Sequence, residues 1–495
     1  MEQKNNNSSF EGLSNEIDIR RSKINQLIQD GEIPYKERFD RTHTIAEARN
    51  LEVGTKVRIS GRIIFRRIMG KFGFMKIADI MSSIQVSVGI NELNEDAYTF
   101  YKKMIDIADF VGVEGELYIT QTGELTVKAT SVELLSKSLR PLPEKFHGLT
   151  DMEAKYRQRY LDLVSNEEAR EVFVGRSKAI AFIRNFLNSN GFMEVETPIL
   201  QSAVCGASAR PFLTKHNALD KVCNLRIAPE TYLKQVIAGG FDRVFEVAKC
   251  FRNEGMDTQH LQEFTMVEWY ASYWNFEDNI KFYKKFIQQL LLELKGSMQI
   301  EYQGQVLDFG KEIWPRINYV EEMRKILGFD FLECETAEDL INRVVERNLF
   351  TRDDFDGIKT LGGVIDYIYK RKIRINIVQP TILYNYPACL IPLARRNDKN
   401  SKIIDVFQIL CVGNELAKAY SELVDPIVQR EELVAQAKAK SEGDDEAMEL
   451  DEDFVLAMEH GMPPISGLGF GVDRLMVILY NQPSIRDVVL FPLMK

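Results

Sequence analysis

The chain has 495 residues, with 63 Lys and Arg against 73 Asp and Glu for a formal net charge of −10. That length exceeds what one hydrophobic core serves and predicts two or three domains, while 45% hydrophobic and 27% charged residues exclude a disordered chain. The acidic balance argues against a protein that coats nucleic acid unselectively; a polar start, MEQKNNNSSFEGLSNEIDIRRSK, and no apolar run of about 18 residues predict a cytoplasmic protein with no membrane span.

Residues 16–30, EIDIRRSKINQLIQD, carry apolar side chains at helical spacing and stop at Gly31, which predicts a helix within an N-terminal extension over 1–54. Two basic clusters, Arg20-Arg21-Lys23 and Arg62 with Arg66-Arg67, read as solvated faces. Over 55–140 the pattern changes to five short alternating runs, KVRISGRII, FGFMKIADI, SSIQVSVGI, FVGVEGELYIT and ELTVKATSVELL, with a helical EDAYTFYKKM before the fourth. This predicts a small closed barrel of the oligonucleotide-binding (OB) type. Alternation puts Phe74 and Lys76 on one face with Gln85 on the next strand. Phe74 is then either a platform for a base or a core aromatic, and Gln85 and Glu124 are candidates for reading base edges.

A polar stretch over 141–165 reads as a linker. Beyond it, EEAREVFVGRSKAIAFIRNFLNSN predicts a helix ended by Gly191, FMEVETPIL a strand, and the rest of 166–495 a larger α+β domain. The acidic SEGDDEAMELDED at 441–453 reads as a solvated loop entering a helix. Six cysteines lie scattered without a C-x-x-C pair, which predicts free thiols and no structural zinc.

Three segments carry chemistry. RVFEVAKCF followed by Arg252 and HLQEFTMVEWYASY predicts a long hairpin with a polar loop. The planar fork of Arg252 suits a phosphate or carboxylate, Phe264 offers a face to a purine, and Glu268 and Tyr270, two apart, point the same way and suit an ammonium. The bland alternative is a surface ion pair and a core phenylalanine. GLGFGVDRLMVIL at 467–479 alternates three glycines before Arg474, allowing close approach of a flat ligand, and it lacks the G-K-[ST] of a P-loop. GNELAKAYSELVDP at 413–426 holds Glu415 and Glu422, either magnesium-binding oxygens or exposed helix carboxylates, and Glu230 in RIAPETYLK is an acidic partner for an amine.

Together GFMEVETPIL, FRNEGMDTQHLQEFTMVEWY and GLGFGVDRLMVIL resemble motifs 1, 2 and 3 of the class II aminoacyl-tRNA synthetases. RRIMGK, LRPLPEKFHGL, KYRQRYLDL and PLARRND are similar to the lysyl-tRNA synthetases among them, from about residue 55 to the C-terminus. Ala228-Pro229-Glu230-Thr231 stands where the aspartyl and asparaginyl enzymes usually carry Gln-Ser-Pro-Gln.

The resemblance implies an OB-type anticodon-binding barrel joined to a catalytic domain on an antiparallel sheet flanked by helices. Its activity would be ATP-dependent activation of L-lysine and transfer to tRNA(Lys) by a homodimer using up to three Mg²⁺ ions. Arg252 and Arg474 would be catalytic. Glu254, His260, Phe264, Glu415, Gly469 and Gly471 would bind ATP with them. Lysine would contact Gly206, Glu230, Glu268, Tyr270, Lys418, Tyr420 and Glu422. Glu415 and Glu422 would hold metal, Phe74, Gln85 and Glu124 would read the anticodon, and Pro198 would lie at the dimer contact.

Four positions depart from the family. Lys418 replaces an asparagine, Gln408 a metal-ligand glutamate, Cys205 a glycine and Cys389 an acidic residue. Lys418 is then either a stronger partner for the substrate carboxylate or an occupant of the ammonium pocket. The alternative function is a catalytically altered paralogue that binds tRNA or uses a different amino acid.

Overall fold

The computed structural model describes residues 2–143, 151–391, 393–442 and 446–494. The chain divides into two compact units, residues 1–155 with 160–166, and residues 156–159 with 167–495. Part of the expected linker, residues 144–150, lies outside the described residues. Of the rest, Met152–Arg157 and Arg159–Ser165 are helical.

The first unit opens with helix α1 (Glu2–Gln29), which begins well before the periodic segment, and Gly31 takes a left-handed φ of 78° after it. Strands β1 (Lys56–Met69), β2 (Phe72–Ala78), β3 (Ser83–Gly89), β4 (Phe110–Ile119) and β5 (Leu125–Ser136) close a barrel in the order β1-β2-β3-β5-β4. Met75, Ile77, Ile84 and Val86 fill its interior, and the intervening side chains face out, as a period of two demands.

Four residues of the basic clusters hold this unit together, contrary to the solvated reading, among them Arg62, which donates to the Ala108 carbonyl at 3.3 Å and lies over the Phe110 ring. Arg20 is buried, donating to the carbonyls of Ile107 and Ser138, and Lys23 pairs with Asp106 at 2.7 Å. Arg66 donates to the carbonyls of Tyr101, Lys102 and Ile105, which the end of the helix Glu95–Met104 leaves without intrahelical donors. A guanidinium satisfies several carbonyls at once there. Arg21 and Arg67 remain exposed.

The second unit is built on a nine-stranded sheet. Its main path runs Arg316–Asn318, Thr381–Pro387, Asn400–Cys411, Asn414–Ser421, Ile465–Gly471, Glu263–Ser272, Arg243–Phe251 and Met193–Glu194, with Arg396–Asn397 pairing to the third. Pairing is antiparallel except at the two ends of the path. Helices Glu167–Ser189 and Phe276–Lys295 cover one face, burying Phe186, Trp269, Phe286 and Phe470 in one core. The opposite face is left for a ligand. The strand expected over 192–200 shrinks to Met193–Glu194 and Leu200–Gln201, because Pro198 has no amide hydrogen for a ladder. All six cysteines are free thiols. Among the described residues no helix is long and apolar enough to cross a membrane.

Candidate active site

The open face of the sheet forms the floor of a cavity of about 400 Å³. Its middle strand, Ile465–Gly471, pairs on one side with Glu263–Ser272 and on the other with Asn414–Ser421. Gly467 therefore lies between Tyr270 and Tyr420, Gly469 between Glu268 and Lys418, and Gly471 beside Met266. Of the three alternating glycines, Gly467 is a steric requirement. A Cβ on Gly467 would run into the Tyr270 ring and the Glu422 carboxylate.

A β-bulge sets the other wall. Ile409 pairs with Ala417 and Leu410 with Glu415, so Leu416 is an extra residue. Leu416 and Ala417 both enter the core, and Glu415 returns to the cavity face with Lys418 and Tyr420. Glu415 and Glu422 thus lie on and just beyond a strand, not on an exposed helix.

One end of the cavity is acidic. Glu230, Glu268 and Glu422 are all buried there, together with Lys234 from the helix Glu230–Ala238. Lys234 Nζ donates to Glu230 Oε1 at 2.7 Å and stands 2.5 Å from Glu422 Oε2. Lys234 thus bridges Glu230 and Glu422 through one ammonium. Tyr420 donates to Glu230 Oε2 at 2.7 Å, Tyr270 to Glu268 Oε2 at 3.2 Å, and the Gly467 amide to Glu422 Oε1 at 3.1 Å.

Burial, then the charge of Glu230, pushes the Glu268 carboxyl above its ordinary range. Burial also raises Glu422 against the pull of Lys234. Burial lowers Lys234, but Glu230 and Glu422 outweigh it and hold the ammonium charged. With all three carboxyls ionised, one ammonium leaves the recess two positive charges short, which is why burial favours their protonated forms until a cation arrives. Gly206, with a left-handed φ of 93°, closes over Glu230, and its neighbour Cys205 packs on Met448, its thiol pushed up to about 12 by burial.

The other end is basic and aromatic. Arg252 leaves the strand Arg243–Phe251, donates to the Ile227 carbonyl at 3.4 Å, and lies 5.1 Å from the centre of the Phe264 ring. Arg474, in the first turn of helix Val472–Leu479, lies 3.2 Å from His260 Nε2, and His260 Nδ1 meets Asp257 at 2.8 Å. A carboxylate only accepts, so Nδ1 carries the proton and Nε2 accepts from Arg474. Asp473 anchors this helix start by pairing with Arg176 and accepting the Thr265 amide at 2.7 Å. Glu254 lines the same end.

The metal positions do not assemble as expected. Glu415 and Glu422 are seven residues apart along extended chain, roughly 20 Å at about 3.3 Å per residue, too far to share an ion. Gln408 does reach Glu415, but through its amide nitrogen, while its oxygen accepts from Tyr369 and Tyr386 at 3.2 and 2.6 Å. An acceptor-only carboxylate fixes that orientation. Among the described residues no three His, Cys, Asp or Glu side chains come together to hold a metal.

In the barrel, Phe74 is excluded from the core and packs edge-on against Phe72 at 4.9 Å on the outer face. Gln85, opposite Lys76, donates to Thr126 at 3.0 Å, and Glu124 is exposed. Pro198 is exposed, and Cys389 lies on the surface. The sequence reading missed Lys234, whose only local signal is its place one helical turn after Glu230. It also missed Asp473, and it assigned Met448 to a solvated loop although Ala447 and Met448 are buried. Residues 443–445 of that acidic segment lie outside the described residues.

Residues 151–495 match the family model described as tRNA synthetases class II (D, K and N), and residues 57–135 match the OB-fold nucleic acid binding domain. The lysine–tRNA ligase of Bacillus cytotoxicus is 41% identical over 99% of each chain. That of Bacillus subtilis is 42% identical over 98% of each, and that of Pelotomaculum thermopropionicum 43% identical over 98% of this chain and 96% of its own.

Proposed function

The chain belongs to the class II aminoacyl-tRNA synthetases of the aspartate, lysine and asparagine group, and from that premise we propose that it is a lysine–tRNA ligase. It activates L-lysine with ATP to lysyl-adenylate and transfers the lysyl group to the 3′ end of tRNA(Lys).

The observation that carries the reading is the charge deficit of the recess. Glu230, Glu268 and Glu422 outnumber Lys234 by two, and free lysine brings two ammonium groups. Glu268 and Tyr270, with Glu422 behind them, take the ε-ammonium, and Glu230 with Gly206 takes the α-amine. A leucine or methionine supplies one ammonium only and leaves a buried carboxylate unpaired, which costs several kcal/mol.

The recess fixes the lysine carboxylate over Gly469, toward Arg252 and the nucleotide end. Phe264 stacks on adenine, while Arg252 and Arg474 hold the phosphates. A carboxylate oxygen attacks the α-phosphorus, the bond from that phosphorus to the bridging oxygen breaks, and pyrophosphate leaves with the electron pair. Positioning and charge neutralisation by the two guanidinium groups supply the acceleration. The terminal ribose hydroxyl of tRNA then attacks the adenylate carbonyl and AMP departs.

The outer face of the barrel, with Phe74, Gln85 and Glu124, reads the anticodon by stacking and edge contacts. A homodimer is supported by the exposed apolar side chains Met193, Ile199 and Leu200 flanking the exposed Pro198, Met193 lying on the edge strand of the large sheet. The protein works in the cytoplasm with its tRNA.

Exchange of labelled pyrophosphate into ATP, run with each amino acid in turn, tests the reading. Lysine supports exchange and the others do not. Exchange with a different amino acid, and none with lysine, sinks it.

A further inference from the structure

Lys418 sits on the cavity floor between the acidic recess and the guanidinium groups, beside Gly469, where a lysine carboxylate meets an α-phosphate. Two anions have to be brought into contact there, which a preorganised positive charge favours. Among the described residues the Lys418 ammonium makes no hydrogen bond or ion pair. A partly buried cation without a counterion is costly until an anionic ligand completes it. The ammonium recess is not its place, because Lys234 already bridges Glu230 and Glu422 there.

Across the ladder, the residue opposite Lys418 is Gln408. Its amide nitrogen occupies Glu415 Oε2, and its oxygen is held by the hydroxyls of Tyr369 and Tyr386. For Glu415 and Gln408 to ligate an ion together, that amide would have to turn over and abandon both tyrosines. Gln408 therefore faces, from the neighbouring strand, both a carboxylate with one oxygen taken by its neutral amide and an unpaired cation three residues further on.

We propose that Lys418 is the resident cation of the phosphate-transfer centre, its ammonium neutralising the α-phosphate and the attacking carboxylate in place of a divalent ion held by Glu415. The assignment rests on the ligase reading above and adds a prediction about metal use: the only divalent ion the site takes up is the one that travels with the nucleotide. Lys418 donates N–H to phosphate oxygen, and no proton leaves it during transfer.

Mn²⁺ titration followed by EPR, on the full chain with lysine and a non-hydrolysable ATP analogue bridged by methylene between the α- and β-phosphates, reads this directly. The wild-type protein takes up no Mn²⁺ beyond that bound to the analogue, and Gln408→Glu combined with Lys418→Asn takes up at least one further ion per site. In pyrophosphate exchange at fixed MgATP, Lys418→Met loses at least about 100-fold in rate while Lys418→Arg, which keeps the charge, recovers part of it. Thermal melting of each variant separates a lost cation from a lost fold. Further Mn²⁺ in the wild type equal to that in the double variant, or wild-type exchange by a folded Lys418→Met protein, overturns the proposal. Absence of lysine-dependent exchange in the wild type, with the ion count as stated, overturns the ligase reading instead.

Discussion

Lys234 Nζ stands 2.7 Å from Glu230 Oε1, a protein ammonium sealed inside the acidic recess proposed to take the ammonium groups of the substrate. It also approaches Glu422, so one buried cation positions two of the three recess carboxylates.

Removing that cation while keeping its volume leaves two buried carboxylates uncompensated. Lys234→Met is therefore expected to lower the unfolding free energy by about 3–5 kcal/mol, measured by urea denaturation. Added lysine restores part of the loss, because its ammonium groups bind the native state alone. Unchanged stability would show that the carboxylates relax by taking up protons instead.

The raised carboxyls of Glu268 and Glu422 give a second measurable consequence. A carboxyl whose folded pKa lies above its unfolded value holds more protons in the native state. Its favourable contribution is full below the unfolded value of about 4.3 and is lost as pH rises through the raised folded value. The free protein is thus expected to lose stability as pH rises across that window. Lysine binding, which requires the ionised form, releases protons within it. Calorimetry of lysine binding at about pH 6 in two buffers of different ionisation enthalpy measures the release; zero net release would mean the recess is already ionised without ligand.

Much of this site is visible in the residue pattern because its parts are periodic. Gly467, Gly469 and Gly471 alternate, Glu268 and Tyr270 are two apart, and both follow from a side-chain period of two along strands. The barrel runs were legible for the same reason. What escaped has no local period. The extra residue Leu416, which turns Glu415 onto the cavity face, depends on the register of a neighbouring strand. Asp473 meets Arg176 nearly 300 residues earlier in the chain, Arg20 is buried against carbonyls of two distant segments, and the bonds of Arg66 depend on where a helix ends. Charge runs look alike in sequence whether water or a carbonyl receives them.

Phe74 stands on the outer face of the barrel with its ring supported edge-on by Phe72. If it stacks on an anticodon base, Phe74→Ala costs about 1–3 kcal/mol of tRNA binding. Aminoacylation assays are expected to report a raised KM for tRNA(Lys), with the rate of lysine-dependent pyrophosphate exchange unchanged. Loss of exchange in the same variant would instead mean a folding defect, and an unchanged KM would remove Phe74 from the interface.

Gly467 offers the sharpest separation of the two ends of the cavity. A methyl group there collides with the Tyr270 ring and Glu422, both at the amine end, whereas Phe264, Arg252 and Arg474 lie at the other. The Gly467→Ala protein is expected to bind ATP as the wild type does. It should lose lysine-dependent exchange by about 100-fold or more, the scale set by displacing a bound reactant by an ångström. Nucleotide affinity from a fluorescent analogue and the KM for lysine, measured side by side, distinguish the outcomes. A rise in KM for lysine alone places the amino acid over Gly467. Equal weakening of both ligands means that the floor strand has shifted as a unit, and an unchanged KM for lysine means that the amine binds elsewhere.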